Sequence, residues 1–595
     1  MGVAGAPAST GLRVAVLAGA AALLLSGLGN VDAWAPDEPR YLQVAEELRA
    51  TGGGAWDRLL LRLNGEVYDQ KPPLYFWLAA LSGAPFGRVT ESAARLPSAL
   101  AGIALVALTL ALGTRLFGGR VAVLGAALML TLAEFARNAR RVQLDVLLAA
   151  FEAAALMLFW RIDRGIGPRR AQLALLHAAL GLAVLTKGPV GFLVPVLVMA
   201  AYLAWERRLR ELPRWLPAWG LLLSVGPALA WLAAASALAP SGFADDVLGP
   251  NLVGRFFSGT SHARPFYYFG PTYIYDCLPW TLLWPVVFLA GRRLFATPPG
   301  AAAGDGERRR AWRFLLAWVG ASLLFFSLSS GKRGIYLLPT YPAMALLCAD
   351  AVVSFLAGRT RVPWGLAAAG ASLAAFFALL GVEVVLAAAT GEPPLLSAFA
   401  PAELQKQVGD WLGVVERPLL LAFGCGLVGL TLLACVAWVV LRRHRTAPLL
   451  HVVVAVVAVA GIELAAFLLL FPAANALRSP HPIARAAAQV TPVGRPIGLV
   501  GDRAMLGGLA YYGERPVESL LDEQSLTDFV RDGDATLVVK TRKLYRITNI
   551  VPVEVLARAR TGRRELLVVR PSAAPTETPA AAPETDGAVR RRTAP

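Results

Sequence analysis

Charge is scarce in this 595-residue chain, where only 16% of residues are Asp, Glu, Lys or Arg and 56% are hydrophobic. A soluble domain carries about 25% charged residues. One enlarged soluble core does not account for the difference, because cores stop growing near ~250–300 residues and chains then divide. Cysteine is scarcer still, with Cys277, Cys348, Cys425 and Cys435 the only four. All lie in or beside apolar segments without metal-ligand spacing, which leaves them as packing residues. No internal repeat is visible either. What the chain has instead is a recurring stretch of about 20 apolar residues, the signal of a membrane span, and a mean hydropathy of +0.56.

The net charge of +17 raises nucleic acid as a partner, but the arginines sit in short clusters between apolar runs, which argues against it. Thirteen spans are expected, near 11–29, 93–114, 121–135, 145–160, 171–185, 189–205, 216–239, 274–290, 313–328, 335–357, 364–388, 419–441 and 448–471. Alternate loops carry basic clusters such as Arg161/Arg164/Arg169/Arg170 and Arg207/Arg208/Arg210/Arg214. All six clusters fall on one side, which predicts a cytoplasmic N-terminus and an outward C-terminal region. The aromatic segment 74–87 is too short to span and is expected to lie in the interface. Runs at 496–500 and 535–540 predict buried strands in a small outward α/β domain over 480–570, followed by a disordered tail over 571–595.

Ionisable groups at membrane depth cost about 2.5–3.5 kcal/mol each, so their placement carries information. In the thirteen-span layout they collect at the outer side. The first outer loop, 31–92, brings Asp37, Glu38 and Arg40, then Asp69 and Lys71. Later loops add Arg137, Arg140, Arg141, Asp145, Lys187, Arg255, His262, Lys332, Arg333 and Tyr336. Outward cations run against the bias that orients the chain. Such a group suits an anionic lipid headgroup, since arginine binds phosphate bidentately. Where a lipid phosphate is a leaving group, preplaced cations stabilise the charge it gains in the transition state. A carboxylate is then needed to orient an acceptor or take its proton, and Asp37 and Glu38 are the candidates. Each residue also has a structural reading: Asp37 or Glu38 as helix caps, Arg40 as their ion-pair partner, Lys71 snorkelling, Asp145 paired with Arg141, Lys187 and Lys332 as interfacial anchors. Glu152 and Glu463 lie deeper in spans and are left unassigned.

The order of these motifs resembles the GT-C glycosyltransferases of the bacterial aminoarabinose transferase and protein mannosyltransferase kind. The matching pieces are Asp37-Glu38-Pro39-Arg40-Tyr41, Lys71-Pro72-Pro73-Leu74, Gln143-Leu144-Asp145, Leu185-Thr186-Lys187-Gly188, Leu278-Pro279-Trp280 and Gly331-Lys332 with Tyr336-Leu337-Leu338-Pro339. The resemblance covers roughly 15–360. It implies a polytopic α-helical membrane protein, with a transmembrane catalytic domain over 1–475. The implied reaction is an inverting transfer from a polyprenyl-phosphate sugar, such as an undecaprenyl-phosphate sugar, on the periplasmic face of the inner membrane. It places the acidic motif at the active site, with Asp145 as a further catalytic candidate. The donor phosphate would meet Arg40, Lys71 and Tyr336, with Lys187, Arg255, Lys332 and Arg333 as additional donor-site candidates. No cofactor is required; were a divalent metal involved, His262 and Asp69 would be its candidates. Two departures stand out: Gln70 precedes the lysine where the aminoarabinose transferases have an acid, and Arg333-Gly334-Ile335 replaces a Leu-Pro-Thr-like stretch. The acceptor is left open among lipid A, another glycan and a protein. A flippase for lipid-linked sugars is the alternative, although transporters place charge near the midplane of repeated halves. An assembly subunit presenting 480–570 is a third.

Overall fold

The computed structural model describes residues 10–52, 54, 56–249, 263–298, 304–357, 365–399, 409, 412–443, 448–531, 534–561 and 564–572. Arg255, His262 and the tail beyond Ser572 lie outside the described residues. The chain forms two compact units, one ending at Ser479 and one beginning at Pro480.

The first unit is a helical membrane bundle. Its leading elements are α1 (Thr10–Leu25), α2 (Asp37–Ala50), α3 (Leu74–Gly83), α4 (Glu91–Phe117), α5 (Gly119–Leu130) and α6 (Ala133–Ala139). They continue as α7 (Leu144–Asp163), α8 (Arg169–Lys187), α9 (Val190–Trp205) and α10 (Ala218–Leu238). Each of the thirteen apolar runs is helical over most of its length. Among the described residues six helices are long and apolar enough to cross a membrane, or eight when two bent pairs count as single spans. One bent pair is α5 and α6, which turn by 68° around Thr131-Leu132. The bend separates the apolar run of α5 from the segment that carries Arg137, Arg140 and Arg141.

The loop between α1 and α4 is folded rather than loose. A hairpin of β1 (Arg62–Leu63) and β2 (Glu66–Val67) turns through Asn64 and Gly65, both at positive φ, the Asn-Gly chemistry of a tight turn. The Glu47 carboxylate on α2 accepts both turn N–H groups, and Glu46 accepts the Val89 N–H at 2.6 Å. Helix α2 is thereby tied at its C-terminal end to both flanks of the loop. The aromatic segment forms α3, whose Tyr75 hydroxyl lies 2.7 Å from Ser98 Oγ on α4.

Helices α8 and α10 approach closely because Gly181 has no side chain. A Cβ there would lie 2.7 Å from the Leu223 carbonyl, the small-residue packing of membrane helices. His177 on α8 lies 2.8 Å from Ser224 Oγ on α10 and satisfies a buried polar pair between them. On its other face α10 exposes Leu222 and Leu229.

The second unit is a five-stranded mixed sheet in the order β4-β3-β5-β7-β6. β3 (Ile497–Val500) lies parallel to β4 (Val517–Leu520) and β5 (Leu537–Lys540). β7 (Arg564–Pro571) runs antiparallel to β5 and β6 (Val553–Thr561). The unbroken apolar stretches of β3 and β5 are buried, as expected of strands covered on both faces, and Leu499, Leu537 and Val539 are fully buried.

Candidate active site

The first turn of α2 opens with two adjacent carboxylates, a favourable place for negative charge beside the free N–H groups of a helix start. Successive helical positions point about 100° apart, and Asp37 and Glu38 meet different partners.

Glu38 is buried and fully engaged. Its oxygens accept from Arg95 Nε at 3.1 Å, Arg141 Nε at 3.3 Å, and the backbone N–H groups of Val142 at 2.9 Å and Trp34 at 3.3 Å. Burial alone would raise its pKa, but Arg95 and Arg141 outweigh burial and lower it to about 2. Arg95 spends its other donors on the carbonyls of Leu28, Val31 and Asp32. This clamp joins α2, α4 and the turn before α7, and leaves Glu38 no lone pair for a substrate.

Asp37 faces cations at a more open place. Arg40, one turn along α2, donates to it at 2.5 Å, and Arg333 donates at 3.1 Å. Burial pushes the carboxyl up, yet Arg333, Arg40 and Lys71 together hold it below the ordinary carboxylate value. Arg40 also reaches the Gln70 amide oxygen at 3.4 Å. Gln70, Asp69 and Lys71 line a cavity of about 620 Å³.

That cavity has two characters. Asp69, Gln70, Lys71, Lys187 and Tyr336 give its lining polar groups; apolar lining comes from Leu193 of α9, Leu229 and Leu232 of α10, and Phe325 and Phe326. Lys187, the last residue of α8, pairs with Asp145 in the first turn of α7, and its ammonium lies 4.4 Å from the Tyr336 ring centre. Asp37 is not on the lining; the Arg40–Gln70 bond connects it to the cavity. The arrangement fits a ligand with an anionic head and a long apolar tail.

The structure thus brings together Asp37, Arg40, Lys71, Asp145, Lys187, Arg333 and Tyr336. Glu38 is drawn away into the clamp, and Arg141 pairs with it rather than with Asp145. Lys332 is also turned aside: it is buried, and its ammonium donates to the carbonyls of Arg264 and Ser329. Among the described residues no three His, Cys, Asp or Glu side chains come together as a metal set. Arg95 is not among the residues singled out from the motifs, although a lone arginine in an apolar helix is itself a signal.

A family model for dolichyl-phosphate-mannose-protein mannosyltransferase matches residues 12–240. Undecaprenyl phosphate-alpha-4-amino-4-deoxy-L-arabinose arabinosyl transferase 1 of Pseudomonas fluorescens is 32% identical over 337 residues, 55% of each chain. The corresponding transferase of Pseudomonas savastanoi pv. phaseolicola is 30% identical over 376 residues, 62% of this chain and 66% of the relative. The chain spans about half the length of the first of these relatives. The structure of ArnT from Cupriavidus metallidurans bound to undecaprenyl phosphate superposes with a TM-score of 0.72 at 22% identity, over 94% of this chain and 98% of that one. This chain has the ArnT fold. The ArnT-like architecture, polytopic and helical with a small sheet domain after it, is the GT-C arrangement expected from the motifs, and it makes the chain a multi-pass membrane protein.

Proposed function

We propose that the protein is a glycosyltransferase that moves a sugar from an undecaprenyl-phosphate-type donor to an acceptor at the outer face of the inner membrane. The observation that carries this reading is Asp37 held between Arg40 and Arg333, linked to an amphipathic cavity with cations in its lining. The N-terminus is assigned to the cytoplasm and residues 480–570 to the periplasm, on the distribution of loop arginines. An activity reporter fused after residue 475 should work outside the cytoplasm.

In this mechanism the carrier tail lies along Leu193, Leu229, Leu232 and Phe326, while its phosphate sits at Lys71 with Arg40 and Arg333 in reach. The bond between the anomeric carbon and the carrier phosphate oxygen breaks, and a bond from that carbon to the acceptor oxygen forms. Charge accumulating on the departing phosphate is stabilised by cations already in place. Tyr336 and Asp145 hold the Lys187 ammonium in the cavity lining, where it adds to that field. Asp37, ionised at neutral pH, orients the acceptor and receives its proton if the acceptor is a hydroxyl. Its depressed pKa makes it a weak base, so the arrangement best suits an acceptor oxygen that is already ionised or loses its proton late.

The test is release of free polyprenyl phosphate by protein reconstituted in lipid, given short-chain polyprenyl-phosphate sugars one at a time with a membrane extract as acceptor source. Acceptor-dependent release by the wild type, abolished in Asp37→Asn at unchanged thermal stability, is the expected result. Tight donor binding without release over a broad sugar panel would overturn the transfer reading in favour of transport.

A further inference from the structure

On the side of α2 that Glu38 faces, a second and smaller space of about 40 Å³ opens between the turn after α1, α4, α6 and the rings of Phe467 and Phe471. A single water needs roughly 10–15 Å³ measured in this way, so the space holds a few waters or one phosphoryl group. Its lining carries Arg95, Arg137, Arg140 and Arg141 against one carboxylate, Glu38. A fifth cation, Arg478, stands beside it. The Trp34 indole N–H donates to Asn475 at 3.0 Å, which fixes the ring. The guanidinium groups of Arg478 and Arg141 then lie over that ring at 5.2 and 5.8 Å.

These cations are not neutralised in equal measure. Glu38 serves both Arg95 and Arg141, and Glu134 pairs with Arg137 from one turn away. Arg140 is capped by the Leu23 and Ser26 carbonyls, without a carboxylate. Arg478 has no carboxylate partner among the described residues. Burial, then Arg141 and Arg137, lower its pKa, the response of a cation crowded by like charges. Gathering like charges in a partly buried place is unfavourable unless an anion relieves it. The side chains of Arg137 and Arg141 are 41% and 28% exposed, so an incoming group can reach them.

We propose that this space is an anion site, in which Arg137, Arg141 and Arg478, backed by Trp34, hold a phosphoryl group of the acceptor. Asp37 and Glu38 are consecutive, so the site lies one helical position from the carboxylate assigned to orient the acceptor. The acceptor role rests on the transfer reading; binding of the anion does not.

The experiment is calorimetric titration of the full chain in phosphatidylcholine nanodiscs with inorganic phosphate as the probe. Wild type, Arg478→Gln, Arg478→Lys and Lys71→Ala are compared. Two binding components are expected for the wild type. Arg478→Gln should weaken one about tenfold, a loss of about 1.4 kcal/mol, and Arg478→Lys, which keeps the charge, should restore most of it. Lys71→Ala should weaken only the other component. Nanodiscs containing phosphatidic acid separate the sources: competition with the Arg478-dependent component assigns the site to a lipid-borne phosphate, and its absence to a soluble phosphoryl group. An Arg478→Gln titration superimposable on wild type overturns the proposal, as does a variant that loses thermal stability but no phosphate affinity. If only Lys71→Ala behaves like wild type, the donor assignment fails while the anion site stands.

Discussion

Replacing Glu38 by Gln tests whether the two neighbouring carboxylates of α2 have separate work. The substitution keeps the shape but removes the charge that neutralises Arg95, whose side chain is 2% exposed. Two routes give the cost. Glu38 falls from an ordinary pKa of 4.5 to about 2, and at about 1.4 kcal/mol per unit that is roughly 3 kcal/mol of folding stability. Breaking a buried ion pair by removing one partner costs about 3–5 kcal/mol. Val142 and Trp34 donate to different carboxylate oxygens, so the single amide oxygen keeps only one of them and the amide NH2 faces a donor, which favours the higher figure. Because the folded-state pKa is depressed, this stability is fully present above the ordinary carboxylate value. It is lost as pH falls from about 4.5 towards about 2. The assay is thermal unfolding in mild detergent, followed by tryptophan fluorescence, over a pH series from neutral to acid. Glu38→Gln is expected to melt several degrees below wild type at neutral pH and to lack the wild-type decline over that acid window. A variant that melts with the wild type at neutral pH would refute the clamp.

Arg333→Gln removes the largest of the charges that lower the Asp37 pKa, leaving burial to push it upward; the acid limb of kcat/KM should move to higher pH, and an unmoved limb would count against Asp37 acting as an anion. Lys71→Ala should weaken donor binding about tenfold or more, the range of a lost charge-assisted bond, in a competition assay with polyprenyl phosphate. Leu229→Trp places a bulky ring in the apolar wall of the cavity and should raise KM for long polyprenyl donors more than for short ones. Equal effects on both lengths would move the tail elsewhere.

Much of the bundle is legible in the sequence because apolar length and arginine clustering are one-dimensional signals. The expected apolar runs are largely helical among the described residues, where six helices, or eight counting two bent pairs, are long and apolar enough to cross a membrane. The acidic motif and the lysine before the two prolines stand out for the same reason: charge next to hydrocarbon is costly. What the sequence leaves out is direction. Asp37 and Glu38 are chemically near-identical neighbours, and only the tertiary position of Arg95, 57 residues further on, separates them. Lys332 and Arg333 make the same point in reverse. Both read as phosphate ligands, but the turn aims one ammonium at backbone carbonyls and the next guanidinium at Asp37. Arg478 lies far beyond the motifs, so its place beside Trp34 emerges only from the fold.

The clamp around Glu38 also works as a gauge of side-chain length. Its carboxylate must span from α2 to α4 and to the Val142 N–H at once, a reach set by two methylenes. Asp37 needs only one to meet a guanidinium one turn along its own helix. Exchanging the two acids would preserve every charge and still fail twice, because one carboxylate would stop about 1.5 Å short and the other would crowd Arg40. At this turn, geometry distinguishes two residues that charge and hydropathy treat as equivalent.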